Sequence, residues 1–381
     1  MRLLILGNGA REHAIAWKVS KEIGKENVFI APGNGGTQLC GTNVDIKLLD
    51  FPNLKAFCIA QNIDVLLPGT EDVIANGVRD CFEEDSSAKH IYVFSPDKHA
   101  GQMESSKAFA KEFMKKEGIP TAAYQKFTKD TVAEGCSFLE SLPAPYVLKA
   151  DGLAAGKGVL ILHDLAEAQS ELREMLLNNK FGEASSTVVI EEFLDGIEFS
   201  VFALTDGEQY VLLPEAKDYK RIGEGDVGLN TGGMGAVSPV PFFDAELREK
   251  TIRQIVEPTI QGLKKQHLNY RGFVFFGLIV CAGDNPYVIE YNARMGDPET
   301  EVVIPRLDES LSAMITASRD GSLTTRTARA KTDYCTTVFA VSGGYPEAYV
   351  KGKTIDILAK DAALDTLFHA GTSCVTGGKQ E

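Results

Sequence analysis

The stretch YVIEYNARMGDPET, residues 287–300, decides the fold because it sets a carboxylate, an amide and a guanidinium two residues apart on a predicted strand. Successive side chains of a strand point to opposite faces, so Glu290, Asn292 and Arg294 are predicted to share one face. The opposite, apolar face is predicted to hold Tyr287, Ile289 and Tyr291. One face can therefore pack while the other meets a ligand.

The polar face of this strand has the chemistry of a metal and anion site. At ~3.3 Å per residue, Glu290 and Asn292 are about 7 Å apart along the strand, and their oxygens can converge on one Mg²⁺ that also takes phosphate oxygens. Arg294 would lie beside that metal as a fixed cation for an anionic substrate. A solvated strand face is the alternative, but it is weaker here because the rest of the chain supplies nucleotide-binding parts.

Composition describes an ordinary globular chain of 381 residues with 44% apolar and 24% charged residues, long enough for two or three domains. The net charge of -14 argues against a general nucleic-acid or anionic-membrane surface. The 7 cysteines are scattered without a zinc-like spacing, which favours reduced thiols in a cytoplasmic protein. The N-terminal apolar run is too short for a signal peptide or a membrane span, and no later segment approaches a span.

The first hundred residues alternate short apolar strands with helical patterns, which predicts a parallel sheet covered by helices. The predicted strands are residues 3–6, 28–31, 64–69 and 91–96. After the first strand, GNGAREH is a glycine-rich turn that opens a helix and favours a phosphate. Glu12 stands where a dinucleotide fingerprint has its third glycine, and the second strand ends in Ala-Pro-Gly without a ribose-binding acid, so a nicotinamide cofactor is disfavoured.

A domain boundary is predicted near residue 103, where a helix within residues 105–118 is followed by β-rich segments. PYVLKADGLAAGKGVLIL, residues 145–162, has the wrong spacing for a Walker A motif and is better interpreted as a β-hairpin flap over phosphates. Lys149 and Lys157 would supply charge, and the glycines would allow close backbone approach. A hairpin with exposed lysines is the alternative.

Two further segments carry candidate ligand groups. VVIEEFLDGIEFSVFAL, residues 188–204, is predicted to form two strands, and its carboxylates Glu191, Glu192 and Glu198 could accept from adenine or ribose, or be surface charges. The glycine-dense residues 216–239, which begin near Asp218 and Lys220, are expected to be irregular, either a flexible loop or a backbone nest for an anion.

After the opening stretch, Asp297 and Pro298 are predicted to be the N-cap and first residue of a helix, so a simple capping role for Asp297 is a strong alternative to substrate binding. Residues 334–341 are expected to open a last β-rich section.

These segments together resemble the glycinamide ribonucleotide synthetase (phosphoribosylamine-glycine ligase) family of ATP-grasp enzymes. The resemblance rests on GNGAREHA, SKAFAKEFM, LKADGLAAGKGV, EEFLDG, KRIGEGDVGLNTGGMGA, VIEYNARMGDPET and SGGYPEAYVKGK with FHAGT, which occur in family order. It implies an α/β (α+β overall) chain with an N-terminal parallel-sheet domain (1–102), an ATP-grasp domain (103–330, flap about 123–192) and a β-rich C-terminal domain (331–381), shorter than usual.

The resemblance also implies the ligands and their residues. Lys107 and Lys149 would contact the phosphates of ATP, beneath the loop that contains Gly152, Gly156, Lys157 and Gly158. The adenine and ribose contacts would be Glu191, Glu192, Phe193, Leu194 and Glu198, and the ligands of Mg²⁺ or Mn²⁺ would be Glu290 and Asn292. Glycine and its activated form would meet Arg294 and the loop that contains Asn230, Gly232, Gly233 and Met234. Further substrate contacts would be Asp218, Lys220 and Asp297. Phosphoribosylamine would contact Gly9, Arg11 and Glu71.

The implied reaction joins glycine to 5-phosphoribosylamine through glycyl phosphate, with Arg294 and Lys149 as the catalytic groups and no covalent nucleophile on the protein. Neither nucleic acid nor membrane is expected as a partner, and the protein is expected as a monomer. His13, near the phosphate loop, is the candidate exception to the absence of an essential histidine, and a position on the helix surface is the alternative.

Several positions depart from the family pattern and weaken the amine-substrate assignments most. They are Ala10, Thr70, Asp72, Lys217 and Tyr219. Two alternatives stay open on sequence: another ATP-grasp carboxylate–amine ligase or a purine-pathway carboxylase, and a nucleotide-binding protein that has lost catalysis.

Overall fold

Four β-sheets organise the part of the chain that the computed structural model describes, residues 1–154, 158–225, 227–357 and 366–373. Two of the sheets have five strands, one has four and one has three. This mixed α/β architecture, with a parallel N-terminal sheet, confirms the predicted fold class. No helix among the described residues is long and apolar enough to cross a membrane.

The N-terminal sheet has the strand order β3-β2-β1-β4-β5 and its pairs are parallel. Its strands are β1 (Leu3–Gly7), β2 (Val28–Pro32), β3 (Thr42–Asn43), β4 (Val65–Pro68) and β5 (Tyr92–Val93). Its helices are α1 (Ala10–Ile23), α2 (Phe51–Ala60), α3 (Glu71–Ala75) and α4 (Val78–Glu83). Leu3 and Leu4 pack into different core clusters, so both faces of β1 are covered, which explains its continuous apolar run. All four predicted strands of this region are confirmed.

A four-stranded sheet with the order β6-β9-β7-β8 forms a separate layer with its own core. Its elements are β6 (Tyr124–Thr128), α7 (Val132–Glu140), β7 (Tyr146–Ala150), β8 (Val159–Leu162), α8 (Leu165–Leu177) and β9 (Thr187–Glu191). The predicted β-hairpin is confirmed, since β7 and β8 pair antiparallel with Lys149 opposite Val159.

The central sheet has the order β15-β14-β10-β11-β16 and carries the opening stretch on its edge strand β15. Its strands are β10 (Gly196–Thr205), β11 (Tyr210–Leu212), β14 (Gly272–Cys281), β15 (Asn285–Asn292) and β16 (Arg326–Thr327). The helices packed around it are α5 (Gln102–Ser105), α6 (Lys107–Glu117), α9 (Ala245–Thr251), α10 (Glu257–Lys265), α11 (Thr300–Arg306) and α12 (Leu311–Asp320). Phe202 and Val201 belong to different core clusters, so β10 is buried on both faces.

The glycine-dense residues 216–239 form regular structure, and the expectation of an irregular segment was wrong. They make the antiparallel hairpin β12 (Lys217–Gly223) and β13 (Val227–Ser238), and β17 (Cys335–Val338) adds a third strand. The β12–β13 ladder has two register shifts, and a Cβ at Gly235 would lie 2.5 Å from the carbonyl oxygen of Thr337. Glycine here permits bulges and close strand approach, which sequence alone did not separate from a loop.

Candidate active site

The nucleotide end of the site is a buried group of three charges, which we call the lysine cluster: Lys111, Lys149 and Glu191. Val147 of β7 lies opposite Glu191 of β9, so Lys149 is the diagonal neighbour of Glu191 on the same face of the sheet. The Nζ atoms of Lys149 and Lys111 lie 2.9 Å and 3.2 Å from the same carboxylate oxygen, Oε2 of Glu191. All three side chains are buried. Two cations therefore share one anion.

Sequence reasoning named Lys149 and Glu191 but missed Lys111. Lys111 lies one turn after Lys107 on α6, among Ala110, Phe113 and Met114, which are buried. A lysine on the apolar side of an amphipathic helix is seldom buried without a partner, and that position was the available signal. Burial lowers the pKa of Lys111 to about 8, against the opposing charge of Glu191.

Lys107 is the first residue of α6, and Asp151 of the glycine loop fixes the start of this helix. Ser106 caps α6 by accepting from the Phe109 amide at 3.1 Å. The Asp151 carboxylate accepts from the Ala108 amide at 2.6 Å and from the Ser106 hydroxyl at 3.1 Å. Burial lowers the pKa of Lys107. Asp151, which the sequence analysis did not single out, thus ties the root of the predicted phosphate loop to the helix that carries Lys107.

The loop between β7 and β8 is tightly packed at both ends. A Cβ at Gly152 would lie 2.9 Å from Ala184 Cα, and one at Gly158 would lie 2.8 Å from Ala154 Cβ. The Ala150 amide donates to the Gly158 carbonyl at 2.7 Å. Gly156 and Lys157 lie outside the described residues, so their contact with phosphate stays a prediction.

Residues 192–195 connect two sheets, since β9 belongs to the four-stranded sheet and β10, which contains Glu198, to the central one. Glu192 is exposed and its Oε1 accepts from the Ala123 amide at 2.8 Å, while Phe193 is exposed and Leu194 half-buried. Glu198 is exposed and pairs with Lys220 at 3.0 Å. The two predicted strands are confirmed, and the turn between them is a crossing between sheets.

Glu290 and Asn292 lie at alternate positions of β15, opposite Gly277 and Phe275, as the strand pattern predicts. The prediction for the other face was wrong, because a register shift beside Gly277 puts Val288 and Tyr291 in one core cluster. β15 also ends at Asn292, so Arg294 is not a strand residue.

The donor set of this strand fits a hard divalent cation. Burial raises the pKa of Glu290, but the charges of Lys220, Lys107 and Lys149 outweigh it and lower that pKa overall. Glu290 is therefore an ionised oxygen donor, and Asn292 adds an amide oxygen. The described residues contain no group of three or more His, Cys, Asp or Glu side chains placed to hold a metal.

Arg294 lies between two carboxylates in what we call the arginine cluster: Arg294, Glu71 and Glu104. Its Nε is 3.3 Å from Glu71 Oε2 and its Nη2 is 2.8 Å from Glu104 Oε1. The second oxygen of Glu104 accepts from the Ala293 amide at 2.8 Å, so one buried side chain orients both the backbone and the guanidinium. Burial raises the pKa of Glu104, whereas the Arg294 charge overcomes burial at Glu71 and lowers its pKa. Sequence reasoning missed Glu104.

The N-terminal loop meets this region through Gly9 and Arg11. The Gly9 amide donates to Glu12 Oε2 at 2.7 Å, and Arg11 Nε lies 2.6 Å from Glu12 Oε1. Arg11 also donates to the Met295 carbonyl at 3.2 Å. Glu12 stands where a dinucleotide fingerprint has its third glycine. Its carboxylate accepts from the Gly9 amide, which belongs to the turn predicted to bind a phosphate.

Asp297 and Pro298 do not start a helix, and that prediction was wrong. α11 begins at Thr300, with Glu299 in the N-cap position. A Cβ at Gly9 would lie 3.2 Å from Asp297 Oδ2, which puts this carboxylate against the N-terminal loop. Burial raises the pKa of Asp297, and burial with the nearby Asp218 raises the pKa of Glu299 to about 8.

The glycine hairpin supplies the other wall of the site. Lys220 is exposed and pairs with Asp218 at 3.6 Å as well as with Glu198. Partial desolvation lowers the pKa of Lys220, but these two carboxylates outweigh it and raise that pKa overall. Gly233 has φ +143°, and a Cβ there would lie 2.2 Å from Pro298 Cδ. Three further predicted residues on β13 are Asn230, which is exposed, Gly232, also exposed, and Met234, whose carbonyl accepts from the Phe339 amide at 2.9 Å.

Two family models match the chain: phosphoribosylglycinamide synthetase, N domain, over residues 1–104, and phosphoribosylglycinamide synthetase, ATP-grasp (A) domain, over residues 105–300. The chain is 42% identical to a phosphoribosylamine–glycine ligase of Pseudomonas aeruginosa over 99% of its own length and 87% of the relative's. The crystal structure of phosphoribosylamine–glycine ligase from Thermotoga maritima superposes with a TM-score of 0.84 at 34% identity, covering 100% of this chain and 89% of that one.

A more distant likeness shows the fold alone. The biotin carboxylase domain of a Hydrogenobacter thermophilus 2-oxoglutarate carboxylase, solved with MgADP and bicarbonate, has a TM-score of 0.66 at 17% identity over 88% of this chain and 73% of that one. Matches to both family models and to nearly full-length relatives carry the assignment. The chain belongs to the phosphoribosylglycinamide synthetase family of ATP-grasp ligases.

Proposed function

We propose that the chain ligates glycine to 5-phosphoribosylamine at the expense of ATP, giving glycinamide ribonucleotide, ADP and phosphate. The observation that carries the proposal is the grouping of the ionised Glu290 with Lys107, Lys149 and Lys220, whose charges lower its pKa. An acid that stays charged among lysines suits a site for phosphates and a divalent cation. Family membership supports the choice of substrates.

In the first step the glycine carboxylate attacks the γ-phosphorus of ATP, and the bond to the ADP oxygen breaks. The product is glycyl phosphate, an acyl group that now has a good leaving group. Lys107 and Lys149 are proposed to hold the phosphates, under a loop whose root Asp151 anchors. A divalent cation held by Glu290 and Asn292 would supply charge neutralisation to the phosphates.

In the second step the amine of phosphoribosylamine attacks the acyl carbon, inorganic phosphate leaves and the amine nitrogen loses a proton. Arg294 is proposed to orient the acyl phosphate, and Gly9, Arg11 and Glu71 to contact phosphoribosylamine. Asp218, Lys220, Asp297 and the hairpin residues 230–234 are proposed to surround glycine. The described groups act by positioning and by charge, so no covalent nucleophile of the protein is required.

Adenine and ribose are proposed to lie along the crossing from Glu191 to Glu198. The three-domain division, a preference for Mg²⁺ or Mn²⁺, a cytoplasmic location and a monomeric state also stay predictions.

The proposal is tested by measuring ADP formed with Mg-ATP and glycine, with and without phosphoribosylamine generated in the assay. We expect turnover that requires both substrates and is lost in Glu290→Ala. Clear ATP binding with no turnover on glycine would overturn the substrate assignment and favour another carboxylate–amine pair.

A further inference from the structure

Lys111 is a fully satisfied buried cation. Its Nζ lies 2.8 Å from Thr121 Oγ1, 3.3 Å from the Ala122 carbonyl oxygen and 3.2 Å from Glu191 Oε2. An ammonium group has three protons and no acceptor, so these three oxygens match its donors. Lys111 is 2% exposed, so the residue is almost completely shielded from solvent. Its geometry is therefore fixed before any nucleotide binds.

The acceptor Thr121 is itself fixed. Its hydroxyl donates to the Val288 carbonyl at 2.7 Å, so the same oxygen is free to accept from Lys111. Val288 belongs to β15, the strand that carries Glu290 and Asn292. Lys111 is thus held in a framework that joins α6, the segment before β6 and the strand of the predicted metal ligands.

Glu191 uses its two carboxylate oxygens unequally. Oε2 accepts from both lysines, whereas Oε1 is buried and has no hydrogen-bond partner in the structure. Glu191 is 3% exposed, and leaving a buried charged oxygen unpaired is costly unless a ligand donates to it. The group that best fits a negatively charged acceptor is an N–H donor.

The two lysines have different freedom. Lys149 is named for phosphate contact, and a phosphate that binds it takes it away from Glu191. Lys111 has a protein oxygen as acceptor for each of its three ammonium protons, so it stays paired with Glu191. Without Lys111, Glu191 would be left as a buried carboxylate with no cation at the moment the nucleotide arrives.

We propose that Lys111 is a positioning residue for nucleotide recognition: it orients the Glu191 carboxylate through Oε2, so that Oε1 accepts from the exocyclic amine of adenine. The inference rests on the proposed function, since it assumes that ATP is the nucleotide. A guanine base has a carbonyl oxygen at that position, which is an acceptor and cannot donate to Glu191 Oε1. Lys111 therefore sets the preference for adenine over guanine nucleotides without touching the nucleotide.

The test compares wild type with Lys111→Met, which keeps the length of the side chain and removes its charge. We expect KM for ATP to rise at least tenfold, kcat to change less than threefold, and the ratio of kcat/KM for ATP over GTP to fall at least tenfold. KM for glycine should not change. Lys115→Met, an exposed lysine on the same helix, is the matched control and should leave all four quantities as in wild type.

Thr121→Val keeps the framework's shape but removes one acceptor of Lys111, and it should lower the ATP-over-GTP ratio in the same direction by a smaller factor. It serves as the second variant if Lys111→Met does not fold. Active Lys111→Met or Thr121→Val protein with an unchanged nucleotide ratio would overturn the inference, as would a loss confined to melting temperature and kcat. Wild type that fails to ligate at all would instead overturn the proposed function.

Discussion

The lysine cluster and the arginine cluster are charged in opposite senses. In the first, Lys111 and Lys149 share the single carboxylate of Glu191. In the second, the single guanidinium of Arg294 is shared by Glu71 and Glu104. An excess of positive charge at one end suits the phosphates of a nucleotide, while an excess of negative charge at the other suits an amine.

Both clusters also show that a cation predicted from sequence to bind a ligand can already be paired with a carboxylate of the protein. In the proposed function, Lys149 would leave Glu191 for a phosphate, and Lys111 would remain paired with Glu191. Arg294 is already paired with Glu71 and Glu104, so an anion that binds it must compete with these carboxylates. We therefore expect an anionic substrate to displace the half-exposed Glu71 before the buried Glu104, whose second oxygen is held by the Ala293 amide.

Removing the charge of Lys149 should have the largest effect on activity. Lys149→Met is expected to lower kcat/KM for ATP by about 10³-fold, because a charge directed at the transferring phosphate is lost. Folding should survive, since Lys111 still compensates Glu191. The measurement is ADP formation, with Lys126→Met, an exposed lysine of the same sheet, as control. An equal loss in both variants would contradict a specific phosphate role.

Removing the shared arginine should cost stability as well as the proposed orientation of the acyl phosphate. Arg294→Met leaves Glu71 and Glu104 without the guanidinium that pairs with both, and we expect the free energy of unfolding in urea to fall by about 3 kcal/mol. Arg326→Met, which breaks a more exposed pair with Glu309, should cost about 0–1 kcal/mol. Adding Glu104→Gln to Arg294→Met should recover part of the loss, and the absence of any recovery would count against carboxylate repulsion.

The carboxylate-rich side should make the protein less stable as pH rises. The pKa of Glu299 is raised by burial from 4.5 to about 8, so between these values the folded state binds a proton that the unfolded state has lost. Its contribution to the free energy of unfolding then falls by about 1.4 kcal/mol from pH 6 to pH 7. Glu299→Gln should remove that slope in denaturation measured at the two pH values, and an unaltered slope would refute the assignment.

A buried histidine should act in the opposite direction and more weakly. Burial lowers the pKa of His13 from 6.5 to about 4, and its Nδ1 accepts from the His369 amide at 2.9 Å. The unfolded state therefore takes up a proton first as pH falls, and stability should drop by about 0.7 kcal/mol from pH 7 to pH 6. His13→Gln should flatten this loss, whereas the exposed His90→Gln should not. If both behave as wild type, His13 is not the titrating group.

Local sequence patterns determined much of the fold. Continuous apolar runs predicted the parallel N-terminal strands because such strands are buried on both faces, and the turn between Lys149 and Val159 predicted a hairpin. Spacing of two also put Glu290 and Asn292 on one face of β15. These features depend on residues close together in the chain, so a linear pattern contains the information.

Tertiary structure alone decided how those groups are paired. Pairing with β14 sets the register of β15 and creates the bulge, which places Tyr291 in the same core cluster as Val288. The glycine-rich pattern of residues 216–239 is compatible with a loop and with a strand, and only the pairing with neighbouring strands such as β17 shows that β13 is a strand. Lys111 pairs with Glu191, 80 residues away, and Glu104 pairs with Arg294, 190 residues away. Such ion pairs depend on burial and on the distance between the charged atoms, which no local spacing in the sequence specifies.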